Sequence, residues 1–198
     1  VEGLAGLTLA GGAFTLAGGA DLPNGLSVTG GSALLQGTVL APITTTGSGS
    51  VTNAATLVGN VANGGTFRNN ASVKGNIVNT GTLTNTGVIG GNVSSTGSFE
   101  NTAGATVGGN VVNGGTFQNN ASVTGNVVNT GTLTNTGVIG GGVSNTGSFE
   151  NTAGATVGGN LVNTGMLSND GTISGSVQSN GTLVGNGTYG SLTVFGSG

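Results

Sequence analysis

Residues 59–158 consist of a fifty-residue block written twice in tandem, 59–108 and 109–158, and the two copies differ at only six positions. Within each block a shorter unit recurs. It opens at Val61, Ile77 and Val93 in the first block and at Val111, Val127 and Val143 in the second, so the spacing runs sixteen, sixteen, eighteen. A unit this short cannot bury an apolar face by itself, and repetition at a fixed period means that neighbouring units bury it for one another. The chain is therefore expected to stack small coils.

The pattern inside the unit decides what kind of coil. Every second residue from Val61 reads Val61, Asn63, Gly65, Phe67, Asn69, Ala71, Val73, Gly75, and the series passes into Ile77 in phase. The long unit reads Val93, Ser95, Gly97, Phe99, Asn101, Ala103, Ala105, Val107, Gly109. The residues between are mostly Thr, Ser, Asn and Gly, and alternation with period two marks strands buried on one side. With 45 glycines among 198 residues, a helical backbone would lose too much entropy. Even repeat lengths keep the same face inward, and an odd insertion is expected to turn the side chains over. The two extra residues of the long unit, around Ala103 to Ala105, are expected to widen a corner without changing phase.

Three apolar columns follow: Val61, Ile77, Val93, Val111, Val127, Val143, Leu161, Val177; then Phe67, Leu83, Phe99, Phe117, Leu133, Phe149, Leu167, Leu183; then Val73, Ile89, Val107, Val123, Ile139, Val157, Ile173, Tyr189. The predicted fold is all-β, a single-stranded parallel β-solenoid (β-helix) with three short strands per coil of 16–18 residues and ~4.8 Å between coils. Two inward asparagine columns accompany them. The first is Asn63, Asn79, Asn113, Asn129, Asn145 and Asn163, with Ser95 and Ser179 substituting; the second is Asn69, Asn85, Asn101, Asn119, Asn135, Asn151 and Asn169. Stacked amides can pair along the ladder, so these are read as seals of the corners rather than as a ligand track. Gly65, Gly81, Gly97, Gly115, Gly131, Gly147, Gly165 and Gly181 are predicted to take positive φ at the adjacent corner.

The boundaries follow the periodicity. Residues 1–44 read as less regular strands, a cap or the opening coils of the solenoid, with the doublet LTLAGGA and FTLAGGA as strand and Gly-Gly turn. Residues 45–191 read as the regular solenoid, and 192–198 as a terminal strand end. The segment SVTNAATLVGNV at 50–61 is a shortened echo of SFENTAGATVGGNV at 98–111, and TYGSLTVFGSG drops one residue, which predicts a phase slip near the last coil. The opening VEGLAGLTLAGGAF has no basic start or cleavage pattern, so a leader is either removed or lies outside an excised segment.

Composition excludes several partners. Five acidic and two basic residues, the latter Arg68 and Lys74, leave no positive footprint for nucleic acid or anionic lipid. No apolar run is long enough to insert into a bilayer. Catalysis, metal and cofactor binding are not expected either. Glycoside hydrolysis needs two carboxyls within about 5–9.5 Å, whereas Glu100 and Glu150 sit three coils apart, roughly 14 Å. Glu2, Asp21 and Asp170 have no partner the sequence can place, and there is no His or Cys. Calcium solenoids place Asp where this chain has Asn, and strings such as GVIGGNV lack the Lys and Thr of a phosphate loop. The outward hydroxyls Thr66, Thr82, Ser98, Thr116, Thr132, Ser148 and Thr182 raise ice binding, although Thr is also an ordinary solvent-facing strand residue. The sequons at Asn70, Asn92, Asn120, Asn180 and Asn186 are expected by chance in an Asn/Ser/Thr-rich chain.

GNIVNTGTLTNTGVIGGNV at 75–93, GNVVNTGTLTNTGVIGGGV at 125–143 and the terminal NGTYGSLTVFGSG resemble the passenger domains of bacterial autotransporters, the type V secretion systems, especially adhesin-type passengers. Haemagglutinin-like exoproteins share such coils. The resemblance covers about residues 45–198 and implies an extracellular or cell-surface structural or adhesive rod. Its partner would be a host-cell or matrix surface, or another copy of the chain through the solenoid ends. A self-assembling, biofilm-type filament subunit is the alternative; a polysaccharide-active β-helix enzyme and an ice-binding solenoid rank below it.

Overall fold

The computed structural model describes residues 4–195; Glu2 and residues 196–198 lie outside it. Among the described residues there is no helix, and every strand pairing is parallel. The chain winds as a β-solenoid of about twelve turns. Each turn lays one strand on each of three faces. In the coil that opens at Val61 these strands are Val61–Asn63, Thr66–Asn69 and Ser72–Val73.

The apolar columns stack residue on residue. On the first face Val61 pairs with Ile77, and the register continues through Val93, Val111, Val127, Val143 and Leu161 to Val177. The second face stacks Phe67, Leu83, Phe99, Phe117, Leu133, Phe149, Leu167 and Leu183. The third runs from Val73 through Ile89, Val107, Val123, Ile139, Val157 and Ile173 to Tyr189. All are buried except Leu183 and Tyr189, which are half-buried near the C-terminal end. Where two phenylalanines fall in adjacent coils, Phe99 and Phe117, their rings stack at 4.5 Å between centroids and 3° between planes.

Pairing extends well ahead of Thr45. Leu7, Leu26 and Ile43 continue the first column upward, Phe14, Ala33 and Val51 the second, and Ala20, Val39 and Leu57 the third. The two halves of the LTLAGGA/FTLAGGA doublet occupy different faces, and each pairs with the coil below rather than with the other. Leu26 follows Leu7 by nineteen residues and Ile43 follows Leu26 by seventeen, so odd coil lengths do occur. They do not invert the side chains, contrary to the parity expectation. The odd residue sits in the corner between the first and second faces, where Gly12 (φ 77°) and Gly31 (φ 75°) reverse the backbone locally before the next strand begins.

The long coils behave as expected in phase, with one correction. In each, the two extra residues form a turn closed by the Ala105 N–H donating to the Thr102 carbonyl at 3.0 Å, and likewise by Ala155 to Thr152. Gly104 (φ 84°) and Gly154 (φ 83°) occupy the turn position that requires positive φ. Ala105 points inward, but Ala103 is exposed at the tip rather than buried.

The glycine column is corrected as well. Among the described residues positive φ is confined to Gly12, Gly25, Gly31, Gly47, Gly104, Gly154 and Gly185, none of them in the column from Gly65 to Gly181. Those glycines are needed for close approach. A Cβ built on Gly81 would strike the Gly65 carbonyl oxygen, one on Gly97 that of Gly81, and so on down to Gly181 against Gly165. The tight corner between the first and second faces thus stacks backbone directly on backbone.

Near the C-terminus the strands Thr172–Ser179 and Thr188–Val194 run through the corner from the third face to the first. Their register shifts between Ile173 and Ser176, which is the phase slip expected from the dropped residue.

Candidate functional site

The most organised polar feature is the pair of buried amide columns. Each asparagine ends the strand of its face, and parity turns its side chain inward beside the apolar column. On the second face the ladder is unbroken. Nδ2 of Asn53 donates to Oδ1 of Asn69 at 2.8 Å, and the chain of bonds passes through Asn85, Asn101, Asn119, Asn135 and Asn151 to Asn169, each at 2.7–2.9 Å. The second amide proton also has work in most coils: Asn69 donates to the Val88 carbonyl at 3.0 Å and Asn119 to that of Val138 at 3.1 Å. Most amides of this column therefore tie their own coil to a neighbouring strand and to the next amide, and the column's buried groups are paired as burial demands.

Asn53 was not among the expected members of this column. It occupies the place of Asn101 in the echo 50–61, and that alignment is the signal that could have found it. Above Asn53 the position is taken by Leu35, so the ladder begins against an apolar residue.

The first-face column contains all the expected residues, Asn63, Asn79, Asn113, Asn129, Asn145 and Asn163, but in two runs. Thr45 Oγ1 caps the first run by donating to Asn63 Oδ1. Asn63 donates to Asn79 at 2.6 Å and Asn79 to Ser95 Oγ at 3.0 Å. The second run starts at Asn113 and passes through Asn129, Asn145 and Asn163 to Ser179 Oγ, at 2.7–3.0 Å. Ser95 fills the register position above Asn113 but does not bond to it, so serine accepts from the coil above as asparagine does and does not pass the ladder on.

A third ladder, exposed and not anticipated, runs along the corner between the third and first faces. The side-chain oxygens of Asn60, Asn76, Asn92, Asn110 and Asn126 each accept the backbone N–H of the residue one coil below, at 2.7–2.8 Å. Gly142 interrupts it where the first block has Asn92. The Gly-Asn that precedes the first-face strands at Val61, Ile77, Val93, Val111 and Val127 is its signature in the sequence.

Glu100 and Glu150 occupy the same outward position of the second face, separated in register by Gln118 and Thr134, hence three coil steps or about 14 Å. Among the described residues no three His, Cys, Asp or Glu side chains converge as a metal site. The outward hydroxyls Thr66, Thr82, Ser98, Thr116, Thr132 and Ser148 stack in one line, but Met166 breaks it before Thr182. The first face carries no charge among its described strands and presents Val78, Val112, Val128 and Val162 to solvent. Shallow depressions flank Ala62, which stands where the second block has Val112. Comparison with protein families, with characterised proteins and with solved structures finds no match.

Proposed function

We propose that the chain is a section of an extracellular β-solenoid rod, secreted from or displayed on a bacterial surface, that serves as a stalk or adhesive passenger by mechanical rather than catalytic means. The observation that carries this reading is the continuity of the columns: apolar side chains and paired amides fill the interior from coil to coil. Stretching such a body along its axis opposes ladder hydrogen bonds in every coil, and unfolding one coil exposes its neighbours' buried faces. The near absence of charge limits nonspecific ionic contacts, and the resemblance of 75–93 and 125–143 to adhesin-type autotransporter passengers supports the extracellular setting.

Binding of the purified chain to cultured cells and to matrix-coated surfaces, with single-molecule pulling in parallel, tests the proposal. Saturable attachment to one of those surfaces and stepwise unfolding coil by coil are expected. Turnover of a polysaccharide substrate, or unfolding at forces typical of loose chains, would contradict it.

The filament alternative has its own supporting observation. The last described strand, Thr188–Val194, exposes Leu192 and Val194, and Phe195 beyond it is exposed as well, an apolar end that another coil would cover. Either more coils of the same polypeptide or the end of a second molecule suits it. Fibres whose length grows with protein concentration in electron micrographs would favour self-assembly over the stalk.

A further inference from the structure

The break at Ser95 is a natural experiment, because the second block contains the same corner with asparagine. There, Nδ2 of Asn145 donates to Asn163 Oδ1 at 2.7 Å and to the Met166 carbonyl at 2.9 Å. The corresponding acceptors in the first block are Asn113 Oδ1 and the Thr116 carbonyl. Serine lacks the carboxamide nitrogen that would serve them. Its Oγ accepts from Asn79 at 3.0 Å and donates across a long 3.4 Å to the Gly97 carbonyl, and Asn113 Oδ1 is buried with no protein donor.

Reversing the Asn113 amide does not resolve this. Its Nδ2 is fixed from below by the Asn129 Oδ1 at 2.7 Å and the Thr132 carbonyl at 2.9 Å, so a flip would set the Asn113 oxygen against both of those oxygens. An orphaned buried amide oxygen loses its bonds to water without gaining a protein partner, which destabilises the fold. The other serine of the column creates no such problem: below Ser179 the register position is Val194, which has no side-chain acceptor.

We infer that the corner at Ser95 is a binding site for a single buried water molecule, held beside the shorter side chain and taking over the donor role of the Asn145 amide nitrogen in the second block. Serine in place of asparagine lacks the terminal carboxamide that fills this corner in the second block. The site's demands match water: Asn113 Oδ1 needs a proton, the Thr116 carbonyl can take a second one as the Met166 carbonyl does from Asn145, and the Ser95 hydroxyl can turn from its long bond to Gly97 to donate to the incoming oxygen. Three hydrogen bonds are the usual complement of a buried water. A cation of similar size is disfavoured, since the site lies between dry apolar columns with no anionic side chain beside it. The water restores continuity between two amide runs that the sequence separates, and makes this corner the wet one in an otherwise direct ladder.

The test compares the full chain with S95N and N145S in crystals diffracting well enough to define ordered water. Unmodified protein should show one water within hydrogen-bonding distance of Asn113 Oδ1 and the Thr116 carbonyl, and none at Asn145. S95N should lose it, and N145S should gain a second at the equivalent corner. A Ser95 hydroxyl rotated to donate directly to Asn113, as Thr45 does to Asn63, or a reversed amide run below Ser95 with no water, would overturn the inference. In solution, magnetisation transfer from a long-lived water to the Asn113 side-chain amide should be present in the unmodified chain and absent in S95N; its absence from both would likewise overturn it.

Discussion

A single methyl group separates two kinds of glycine in this fold. At Gly131 a Cβ would land on the backbone carbonyl of Gly115, and no side-chain rotation relieves a clash with backbone. At Gly104 a Cβ has open space, and only the φ of 84° resists it. Gly131→Ala should therefore cost about 3 kcal/mol or more, as overpacking that moves backbone does, whereas Gly104→Ala should cost about 1–2 kcal/mol. Chemical denaturation of the two variants checks the order; equal losses would contradict the close-approach account. The asparagines are equally specific. Asn119 accepts from Asn101 at 2.9 Å and donates to Asn135 at 2.8 Å, so Asn119→Ala unpairs the amide groups on both sides. A loss of at least about 2 kcal/mol is expected in the same measurement.

At the level of the coil, length is regulated at corners and not within strands. Removing Ala103 and Gly104 together would leave Asn-Thr-Ala-Thr-Val, which matches the sixteen-residue corner Asn69-Asn70-Ala71-Ser72-Val73 in pattern. That deletion should leave the β-rich circular dichroism spectrum intact and move the melting temperature little. Deleting Gly104 alone should lower the melting temperature strongly, because the shortened corner keeps an odd length without a positive-φ glycine to absorb it. Parity makes the three apolar columns legible in sequence, since Val, Phe and Leu at even spacing can face only one way. It also places the inward amides. What parity cannot supply is reach. Ser95 and Asn145 satisfy the same pattern, yet only the longer side chain bonds to the coil below. Composition likewise cannot tell a glycine that needs positive φ from one that needs a near neighbour, as the column from Gly65 shows. The Asn60 ladder escapes because an exposed asparagine in a glycine-rich corner looks like any solvated turn residue.

Over the whole molecule, these contacts amount to a linear object whose axial rise per coil is the spacing between hydrogen-bonded strands. Stability of such an object is expected to rise roughly with the number of intact neighbours, and the two blocks should respond alike to equivalent substitutions away from Ser95. The most direct test of the stacked register is distance along the axis. The chain has no cysteine, so pairs introduced for spin labels at outward positions of the second face report on it cleanly. Thr66 and Thr132 are four coil steps apart in register, and Thr66 and Thr182 seven. At ~4.8 Å per step, pulsed dipolar spectroscopy should find separations near 19 Å and 34 Å between the labelled backbones, rising in proportion to coil number. Distances that fail to grow with coil number, or a second pair no farther apart than the first, would contradict the stack.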